Sequence, residues 1–371
     1  MIPLVDLKAQ YNVYKDEFLK AVEEVMSNTA FVLGKYVADF ESKFAEFIGS
    51  SYAVGVASGT DALHLALRAA GVSQGDEVIT VANTFAATTI AVELAGARPV
   101  LVDCDPSTYL MDIGAAKRAV TAKTRAIIPV HLYGQVVPMD ELLALAERHH
   151  LTVIEDACQS HGAKYKGRTS GTFGLMGAFS FFPGKNLGAF GDGGAIVTDS
   201  QKMYEELLAL RNYGSPKKYY HPKFGMNSRL DGIQAAILNV KLKYLSEWNA
   251  KRNAAADRYI KNLKGNPSIT LPARAQDSTH VYHLFVVQVK GDRDHIMAEM
   301  AKKEIYCGIH YPIPIHLQKA YSYLGHKEGD FPHTEDLAKK IISLPVYPEI
   351  TGEQIDLVCQ ALIDLLREAK G

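Results

Sequence analysis

The chain has 371 residues, of which 47% are hydrophobic and 22% charged, and its formal net charge is −1. These values exclude a disordered chain, and the absence of a basic block argues against binding to nucleic acid or to a membrane surface. The scattered Cys104, Cys158, Cys307 and Cys359 form no CxxC pair, which argues against disulfides or structural zinc. Charges throughout residues 1–18 argue against a signal peptide, so we expect a cytoplasmic protein.

Helix and strand patterns alternate over most of the chain. Runs with helical apolar spacing are DALHLALRAAG, FAATTIAVELAG and MDELLALAERHH. Buried-strand patterns lie between them in DEVITVAN, RPVLVDCD, TRAIIPVHLYG and LTVIEDA. This order predicts an α/β fold with a mainly parallel sheet and helices on both faces. Ligands of such sheets bind at the carboxyl ends of the strands, which here include AVGVA, ITVAN, TVIEDA and AFSFF.

The pattern changes near residue 245. One long charged helix is predicted over KLKYLSEWNAKRNAAADRYIKNL, followed by the strand HVYHLFVVQV and the helix RDHIMAEMAKKE. The strand YCGIHYP and the amphipathic helix GEQIDLVCQALIDLLREAK complete the chain. We therefore predict a large α/β domain over residues 14–245 and a smaller α+β domain over 246–371, with residues 1–13 packed nearby.

The first motif with chemical meaning is VASGTDALHLAL. A strand ends at Ala57, and Ser58, Gly59, Thr60 and Asp61 then open a helix. Free backbone N–H groups, a glycine and the positive end of a helix dipole are typical of a phosphate site. The alternative is that Thr60 or Asp61 only caps the helix, and the motif taken alone favours that alternative.

The second motif is TVIEDACQSHGA. Its strand ends in Asp156, which places a carboxylate at the ligand-binding edge of the sheet. A desolvated carboxylate there needs a cationic partner, and a protonated pyridine nitrogen would be one. A capping or ion-paired aspartate is equally consistent with the motif alone.

The third motif, FSFFPGKNLGAFGDGGAIVTD, delivers Ser180 and then Lys185 to the same edge. A desolvated lysine becomes a neutral amine, which can form a Schiff base with an aldehyde, although an exposed loop lysine is the commoner case. Phe179 and Asn186 exclude a Walker A loop, and the strand after GDGG excludes a dinucleotide fingerprint. Glycines that would let a ligand approach the backbone flank the lysine at Gly184, Gly188, Gly191, Gly193 and Gly194.

Another candidate group lies in GIHYPIPIHLQ, where His310, Tyr311 and His316 follow one another closely. They would make polar contacts in a cleft or would belong to aromatic packing, and both interpretations stay open. No cluster of histidine, cysteine and carboxylate residues has metal-ligand spacing, so we expect no metal.

Four motifs in order, SGTDAL, VIEDACQSHGA, FSFFPGKNLGAFGDGGAIVTD and GMNSRLDGIQAAIL, closely resemble the DegT/DnrJ/EryC1/StrS family of nucleotide-sugar aminotransferases. The resemblance runs from IPLVDLKAQY through PIHLQKAY to SLPVYP. It implies a fold-type I enzyme that depends on pyridoxal 5′-phosphate (PLP). It also implies an obligate homodimer with active sites at the subunit interface.

The resemblance further implies roles for individual residues. Lys185 matches the Schiff-base lysine, and Asp156 matches the partner of the pyridinium nitrogen. Gln159 matches the residue beside the cofactor ring and its hydroxyl, and Phe85 in ANTFAAT takes the place of the aromatic that stacks on the ring.

The phosphate of PLP would be held by groups from both subunits. Gly59, Thr60 and Ser180 match the phosphate cradle of the family. Asn227, in GMNSRLD, matches the phosphate contact that the second subunit supplies.

The reaction implied is ping-pong transamination from L-glutamate to a ketosugar linked to a nucleoside diphosphate. ANTFAAT and HYPIPIHLQ resemble the 3-ketosugar enzymes of the family, including those for dTDP-sugars, and we expect His310, Tyr311 and His316 to select the acceptor. Alternatives are a 4-ketosugar, a UDP-sugar, a cyclitol, or a PLP-binding regulatory protein without turnover. Basic candidates for the diphosphate are Lys217, Lys218, Lys223 and Arg229, although a solvated basic face is an equal alternative for the first three.

Overall fold

The computed structural model describes residues 1–368. The α-helices are α1 (Leu7–Ser27), α2 (Lys35–Ile48), α3 (Gly59–Ala69), α4 (Ala86–Leu94), α5 (Ile113–Ala119), α6 (Met139–His149), α7 (Gln201–Leu210), α8 (Gly232–Leu242), α9 (Leu245–Leu263), α10 (Arg293–Lys302), α11 (Pro332–Lys340) and α12 (Gly352–Glu368). The strands are β1 (Tyr52–Val56), β2 (Glu77–Val81), β3 (Arg98–Val102), β4 (Thr124–Ile128), β5 (Thr152–Asp156), β6 (Lys164–Tyr165), β7 (Arg168–Thr169), β8 (Met176–Ser180), β9 (Gly194–Thr198), β10 (Ile269–Thr270), β11 (Phe285–Val289) and β12 (Ile341–Leu344).

The main sheet has seven strands in the order β1-β9-β8-β5-β4-β2-β3. Neighbouring strands from β8 to β3 are parallel, whereas β9 runs antiparallel to both of its neighbours. Successive residues of β1 face opposite sides, so that Val54 packs in the core with α3 and Ala53 packs in the core with α2. The predicted α/β fold, with a mainly parallel sheet covered on both faces, is confirmed.

Strand β9 brings two distant strand ends to one edge of the sheet. Its first residue, Gly194, is opposite Val56 at the end of β1 and opposite Ser180 at the end of β8. A side chain at Gly194 would lie 2.4 Å from the carbonyl oxygen of Ser58. Glycine is therefore required here, since only the absence of Cβ lets the backbones approach so closely.

The C-terminal part has its own sheet and its own core. Strands β10, β11 and β12 form an antiparallel sheet in that order. Phe285 of β11 packs in one apolar cluster with Tyr259 of α9, Met300 of α10 and Val358 of α12. The boundary predicted between residues 245 and 246 falls at the start of α9, and the division into two domains remains a prediction.

The first residues of the chain pack against this C-terminal part. Ile2 is buried in the same apolar cluster. Its N–H donates to the carbonyl oxygen of Glu304 at 2.7 Å, and its own carbonyl oxygen accepts from the N–H of Tyr306 at 2.9 Å. These bonds hold the first residues of the chain against the C-terminal part.

Two predicted elements are wrong in detail. YCGIHYP is not a strand, because only Gly308 pairs with Ser343 before Pro312 and Pro314 remove the N–H groups that a ladder needs. The strand lies instead at β12. The long charged helix is two helices, since α8 ends at Leu242 before α9 begins. The last residues of the final predicted helix lie outside the described residues. Within residues 1–368 no helix has the length and apolarity needed to cross a membrane.

Candidate active site

A cavity of about 480 Å³ opens at the carboxyl ends of β1, β5 and β8, as the strand-end rule predicts. Both parts of the chain contribute to its wall, and so do Leu4 and Val5 of the N-terminal segment. The predicted site residues that line it are Gly59, Thr60, Phe85, Asp156, Gln159, Ser180, Lys185, His310 and Tyr311.

The N-terminus of α3 forms one end of the cavity. The N-cap is Ser58, whose Oγ accepts from the N–H of Asp61 at 3.1 Å, so neither Thr60 nor Asp61 is the cap. A Cβ atom at Gly59 would lie only 2.6 Å from Cβ of Ser180. The cavity therefore meets bare backbone at Gly59, beside the hydroxyl groups of Thr60 and Ser180. Free N–H groups and hydroxyl donors at a helix N-terminus are suited to a phosphate.

Asp156 lies on the floor of the cavity and is only 6% exposed. Its Oδ2 accepts from the hydroxyl of Thr88 at 2.8 Å, and its Oδ1 accepts from the N–H of Cys158 at 3.2 Å. Both donors are neutral groups. A carboxylate oxygen accepts more than one hydrogen bond, so the carboxylate keeps the capacity to pair with a cationic ring nitrogen in the cavity.

Lys185 follows β8 in a turn whose backbone is fixed by a bond from its N–H to the carbonyl oxygen of Phe182 at 2.8 Å. Burial lowers the pKa of Lys185, and the neighbouring Cys158 and Asp156 partly oppose that shift. Burial, together with the charge of Lys185, also lowers the pKa of His161 to about 3 and that of His283 well below its ordinary value. A lowered pKa makes the uncharged, nucleophilic form of the amine more accessible than it is for an exposed lysine.

Gln159 and Tyr133 connect this floor to the C-terminal part of the chain. Gln159 Oε1 accepts from the N–H of Tyr133 at 2.8 Å, and its Nε2 donates to the hydroxyl oxygen of Tyr311 at 3.1 Å. The Tyr133 hydroxyl donates to the carbonyl oxygen of His310. The ring of Tyr311 lies 5.4 Å from that of Phe85, centroid to centroid, so two aromatic side chains meet at the mouth of the cavity.

Two predicted ligands of phosphate or substrate do not line the cavity of this chain. Asn227 is exposed on the segment after α7, where it forms an isolated bridge with Asn212. Arg229 Nη1 donates to Oδ1 of the same Asn212 at 3.0 Å. The basic candidates Lys217, Lys218 and Lys223 are exposed on the same segment.

The structure also places His316 away from the cavity, contrary to the predicted contact with substrate. Its side chain is 2% exposed, and its Nε2 lies 2.9 Å from Oε1 of Glu335. Its ring packs against that of Phe331 at a centroid distance of 4.7 Å. The turn after Pro314 directs the imidazole into the packing against α11, so it does not line the cavity.

Several residues of the site were missed by the sequence analysis. Thr88, His161 and His283 surround the floor, and Tyr133 supports His310. One signal was available, because ANTFAATT places Thr84 and Thr88 four residues apart around a helix start, where they share a face. His161 lies in the quoted motif VIEDACQSHGA, five residues after Asp156, whereas His283 gave no such signal because its position depends on a distant part of the chain.

The groups in the cavity match what PLP requires. Backbone N–H groups and hydroxyls at Gly59, Thr60 and Ser180 suit the phosphate, and the space there depends on the missing side chain at Gly59. The carboxylate of Asp156 suits the ring nitrogen, and the amine of Lys185 suits the aldehyde. The residues present therefore fit this cofactor.

Curated relatives match the chain almost from end to end. A "pleiotropic regulatory protein" of Geobacillus stearothermophilus is 43% identical over 99% of this chain and 99% of its own length. The dTDP-3-amino-3,4,6-trideoxy-alpha-D-glucose transaminase of Streptomyces venezuelae is 43% identical over 99% of this chain and 96% of its own length.

Solved structures show the same architecture. The crystal structure of S. venezuelae DesV in complex with a ketimine intermediate is 43% identical, covers 98% of both chains and superposes with a TM-score of 0.96. Other solved relatives include forms described as carrying PLP or its amino form, PMP. These neighbours confirm the predicted fold of the PLP-dependent aminotransferases. The model of the DegT/DnrJ/EryC1/StrS aminotransferase family matches residues 12–363, and the chain belongs to that family of enzymes.

Proposed function

We propose that the protein transfers an amino group from L-glutamate to a 3-ketosugar linked to a nucleoside diphosphate, with a dTDP-3-keto-6-deoxyhexose as the leading acceptor. One observation supports this most strongly: Lys185 and Asp156 face one cavity whose end is the bare backbone at Gly59. An amine, a carboxylate and an anion site in one pocket are the groups that a PLP-dependent transaminase uses.

In this proposal the chain holds the cofactor through three kinds of non-covalent contact. Gly59, Thr60 and Ser180 bind the phosphate, and Asp156 binds the ring nitrogen. Phe85 covers one face of the ring at the mouth of the cavity. Together these contacts would hold the cofactor in a fixed orientation relative to Lys185.

When bound, PLP supplies an aldehyde that takes up the amino group and a ring that withdraws electrons from the reacting carbon. With PLP bound, Lys185 would be the amine that faces the aldehyde, and its Nζ would be placed to move a proton to and from the reacting carbon. The shift of its pKa toward neutrality suits both tasks. Asp156 would hold the ring nitrogen in its protonated form, and Gln159, whose side-chain amide is held by Tyr133 and Tyr311, would contact the ring.

His310 and Tyr311 form the wall that we propose selects the acceptor. His310 Nδ1 lies 2.8 Å from Oγ of Ser343, and Tyr311 is bonded to Gln159, so both are fixed before substrate arrives. Burial lowers the pKa of His310 to about 4, which leaves a neutral ring able to donate or accept with sugar hydroxyls. The name of the S. venezuelae relative, with its amino group at C3 and a dTDP carrier, supports a 3-ketosugar.

We also propose a homodimer with shared active sites. The segment after α7 exposes large aromatic side chains, with Phe224 at 90% and Tyr219 at 81% exposure, beside Lys217 and Lys218. Apolar surface of this size supports burial against a second copy. In that dimer, Asn227 of the partner subunit completes the phosphate site, and the basic residues of the segment with Arg229 bind the diphosphate.

The test is the visible absorption of the purified protein with PLP, followed through two additions. Loss of the band with L-glutamate and its return with a dTDP-3-ketosugar would support the proposal. Return only with a UDP-3-ketosugar, a 4-ketosugar or a cyclitol would keep the donor reaction and replace the acceptor. A protein that shows no band with PLP, or a band that glutamate leaves unchanged, would overturn the proposed reaction.

A further inference from the structure

Two threonine hydroxyls and the carboxylate of Asp156 form a continuous chain beneath the cavity. Oγ1 of Thr84 lies 2.8 Å from Oγ1 of Thr88, and Oγ1 of Thr88 lies 2.8 Å from Oδ2 of Asp156. The side chains of both threonines are buried, with Thr88 only 1% exposed. Thr84, Thr88 and Asp156 all line the cavity, so the chain of hydroxyls runs along its wall.

The direction of these hydrogen bonds follows from the number of protons available. A carboxylate only accepts, so the Thr88 hydroxyl donates its one proton to Asp156. The bond between the two threonines must then be donated by Thr84. Each donor polarises the next, which strengthens the bond that reaches the carboxylate.

The hydroxyl of Thr88 departs from the usual behaviour of a threonine in a helix. Such a hydroxyl commonly bonds to a carbonyl oxygen three or four residues earlier. Thr89, the next residue of α4, does so with Ala86 at 3.0 Å and also lies 2.7 Å from the hydroxyl of Tyr321. Thr88 instead bonds to Asp156 at the end of β5. The two neighbouring threonines of α4 therefore direct their hydroxyls to different kinds of partner.

We propose that Thr88, backed by Thr84, is a positioning residue that aims the carboxylate of Asp156 at the ring nitrogen of PLP. The inference rests on the proposed function, because it needs PLP in this cavity. Oδ2 is held by Thr88 and Oδ1 by the N–H of Cys158, so rotation of the carboxylate is blocked from both sides. In this role Thr88 acts through its hydrogen bond to Asp156 and not on the reacting atoms.

The experiment compares two ligands on the apoprotein. PLP has the ring nitrogen, and 1-deazapyridoxal 5′-phosphate has a C–H group in its place. The dissociation constant of the deaza analogue divided by that of PLP therefore reports the Asp156 contact. Thr88→Val removes the hydroxyl and keeps the shape, and Thr88→Ser restores the donor. Thr89→Val is the matched control, because it removes a buried hydroxyl from the neighbouring position without touching Asp156.

We expect Thr88→Val to weaken PLP binding roughly tenfold and to change binding of the deaza analogue less than about twofold. Thr88→Ser and Thr89→Val should keep the wild-type ratio. Equal losses for the two ligands would overturn the inference, since Thr88 would then only shape the pocket. An unchanged ratio in Thr88→Val would overturn it as well.

Thr84→Val tests the same chain of hydroxyls if Thr88→Val fails to fold. Thr84→Val leaves Thr88 in place and removes the outer donor, so it should lower the ratio in the same direction but by less. An unaltered ratio in Thr84→Val beside a lowered ratio in Thr88→Val would contradict the role of Thr84 as the outer donor. If the wild-type protein binds PLP no better than it binds the deaza analogue, the proposed contact between Asp156 and the ring nitrogen is contradicted. If it binds neither ligand, the proposed function itself is contradicted.

Discussion

The side-chain amide of Gln159 donates to the hydroxyl oxygen of Tyr311 at 3.1 Å. This bond joins the end of β5 to the segment that carries His310. Because Gln159 also accepts from the backbone of Tyr133, both ends of its amide are engaged, and its place beside the cavity is fixed. The wall proposed to select the acceptor is thus attached to the floor that holds the proposed cofactor.

Replacing Tyr311 by phenylalanine should weaken that attachment while keeping the aromatic contact with Phe85. The free energy of unfolding should fall by about 1 kcal/mol, since a buried amide donor loses its partner. KM for the ketosugar should rise more than KM for glutamate. Urea denaturation and steady-state kinetics would measure the two effects. Tyr306→Phe is the control, because Tyr306 is 45% exposed and lies outside the cavity. Equal behaviour of the two variants would contradict the role of the Gln159 bond.

Asp156→Asn should leave a folded protein that still binds PLP but turns over slowly. Asparagine keeps an oxygen to accept from Thr88, while it cannot stabilise a protonated ring nitrogen by charge. Loss of one electrostatic contact of this kind costs roughly 10²–10³ in kcat. The single-turnover rate at which glutamate bleaches the visible band would measure the loss. Wild-type rates in this variant would show that Asp156 is only structural.

Shared active sites in a homodimer predict complementation between two inactive variants. Lys185→Ala should abolish transamination with the fold intact, and Asn227→Asp should repel the cofactor phosphate. In a mixed dimer, one site has an intact lysine and an intact Asn227 from the partner subunit. Random pairing after coexpression should therefore restore about a quarter of wild-type activity.

A matched pair of variants tests the geometry of that dimer. Lys185→Ala coexpressed with Asp156→Asn should give no rescue, because both residues come from the same subunit and neither mixed site is intact. Rescue in this control, or none in the first combination, would argue against a site shared in the proposed way. Sedimentation of each variant would check that dimers form.

Acid stability depends on histidines that are buried in the neutral form. His161 is fully buried between aromatic rings, and burial lowers its pKa from 6.5 to about 3. The unfolded chain therefore binds a proton more readily than the folded chain below pH 6.5, and stability falls as the pH falls toward 3. This single group should cost about 2 kcal/mol between pH 6.5 and pH 5.

His161→Phe should remove that part of the pH dependence. Urea midpoints measured from pH 8 to pH 5 should fall less steeply in the variant, because phenylalanine takes up no proton and packs between the same rings. His149→Phe places the same change on the exposed surface and should follow the wild-type slope. If His161→Phe keeps that slope, the group is not the neutral buried base described above.

Much of the site could be predicted from the sequence, because strand-end rules apply locally. Gly59, Asp156 and Ser180 each follow or end a strand, and the sheet brings such ends to one edge. Lys185 follows Ser180 closely enough to share that position. These residues needed only the order of strands and helices to be placed together.

The rest depends on contacts between distant residues. His310 and His316 lie in one short segment, yet one lines the cavity while the other turns to Glu335 on α11. The use of Thr88 requires the end of β5 to lie across from α4. Apolar spacing reports which face of an element is buried, but it does not report which polar partner a buried side chain meets.

The close approaches at Gly59 and Gly194 limit which positions can be varied to change the acceptor specificity. Even a methyl group at either position would collide with Ser180 or Ser58, so a randomised library should leave both codons untouched. Diversity belongs at His310 and Tyr311, whose side chains line the cavity and form the wall proposed to select the acceptor. The glycine positions must stay unchanged, and only the wall formed by side chains is open to redesign.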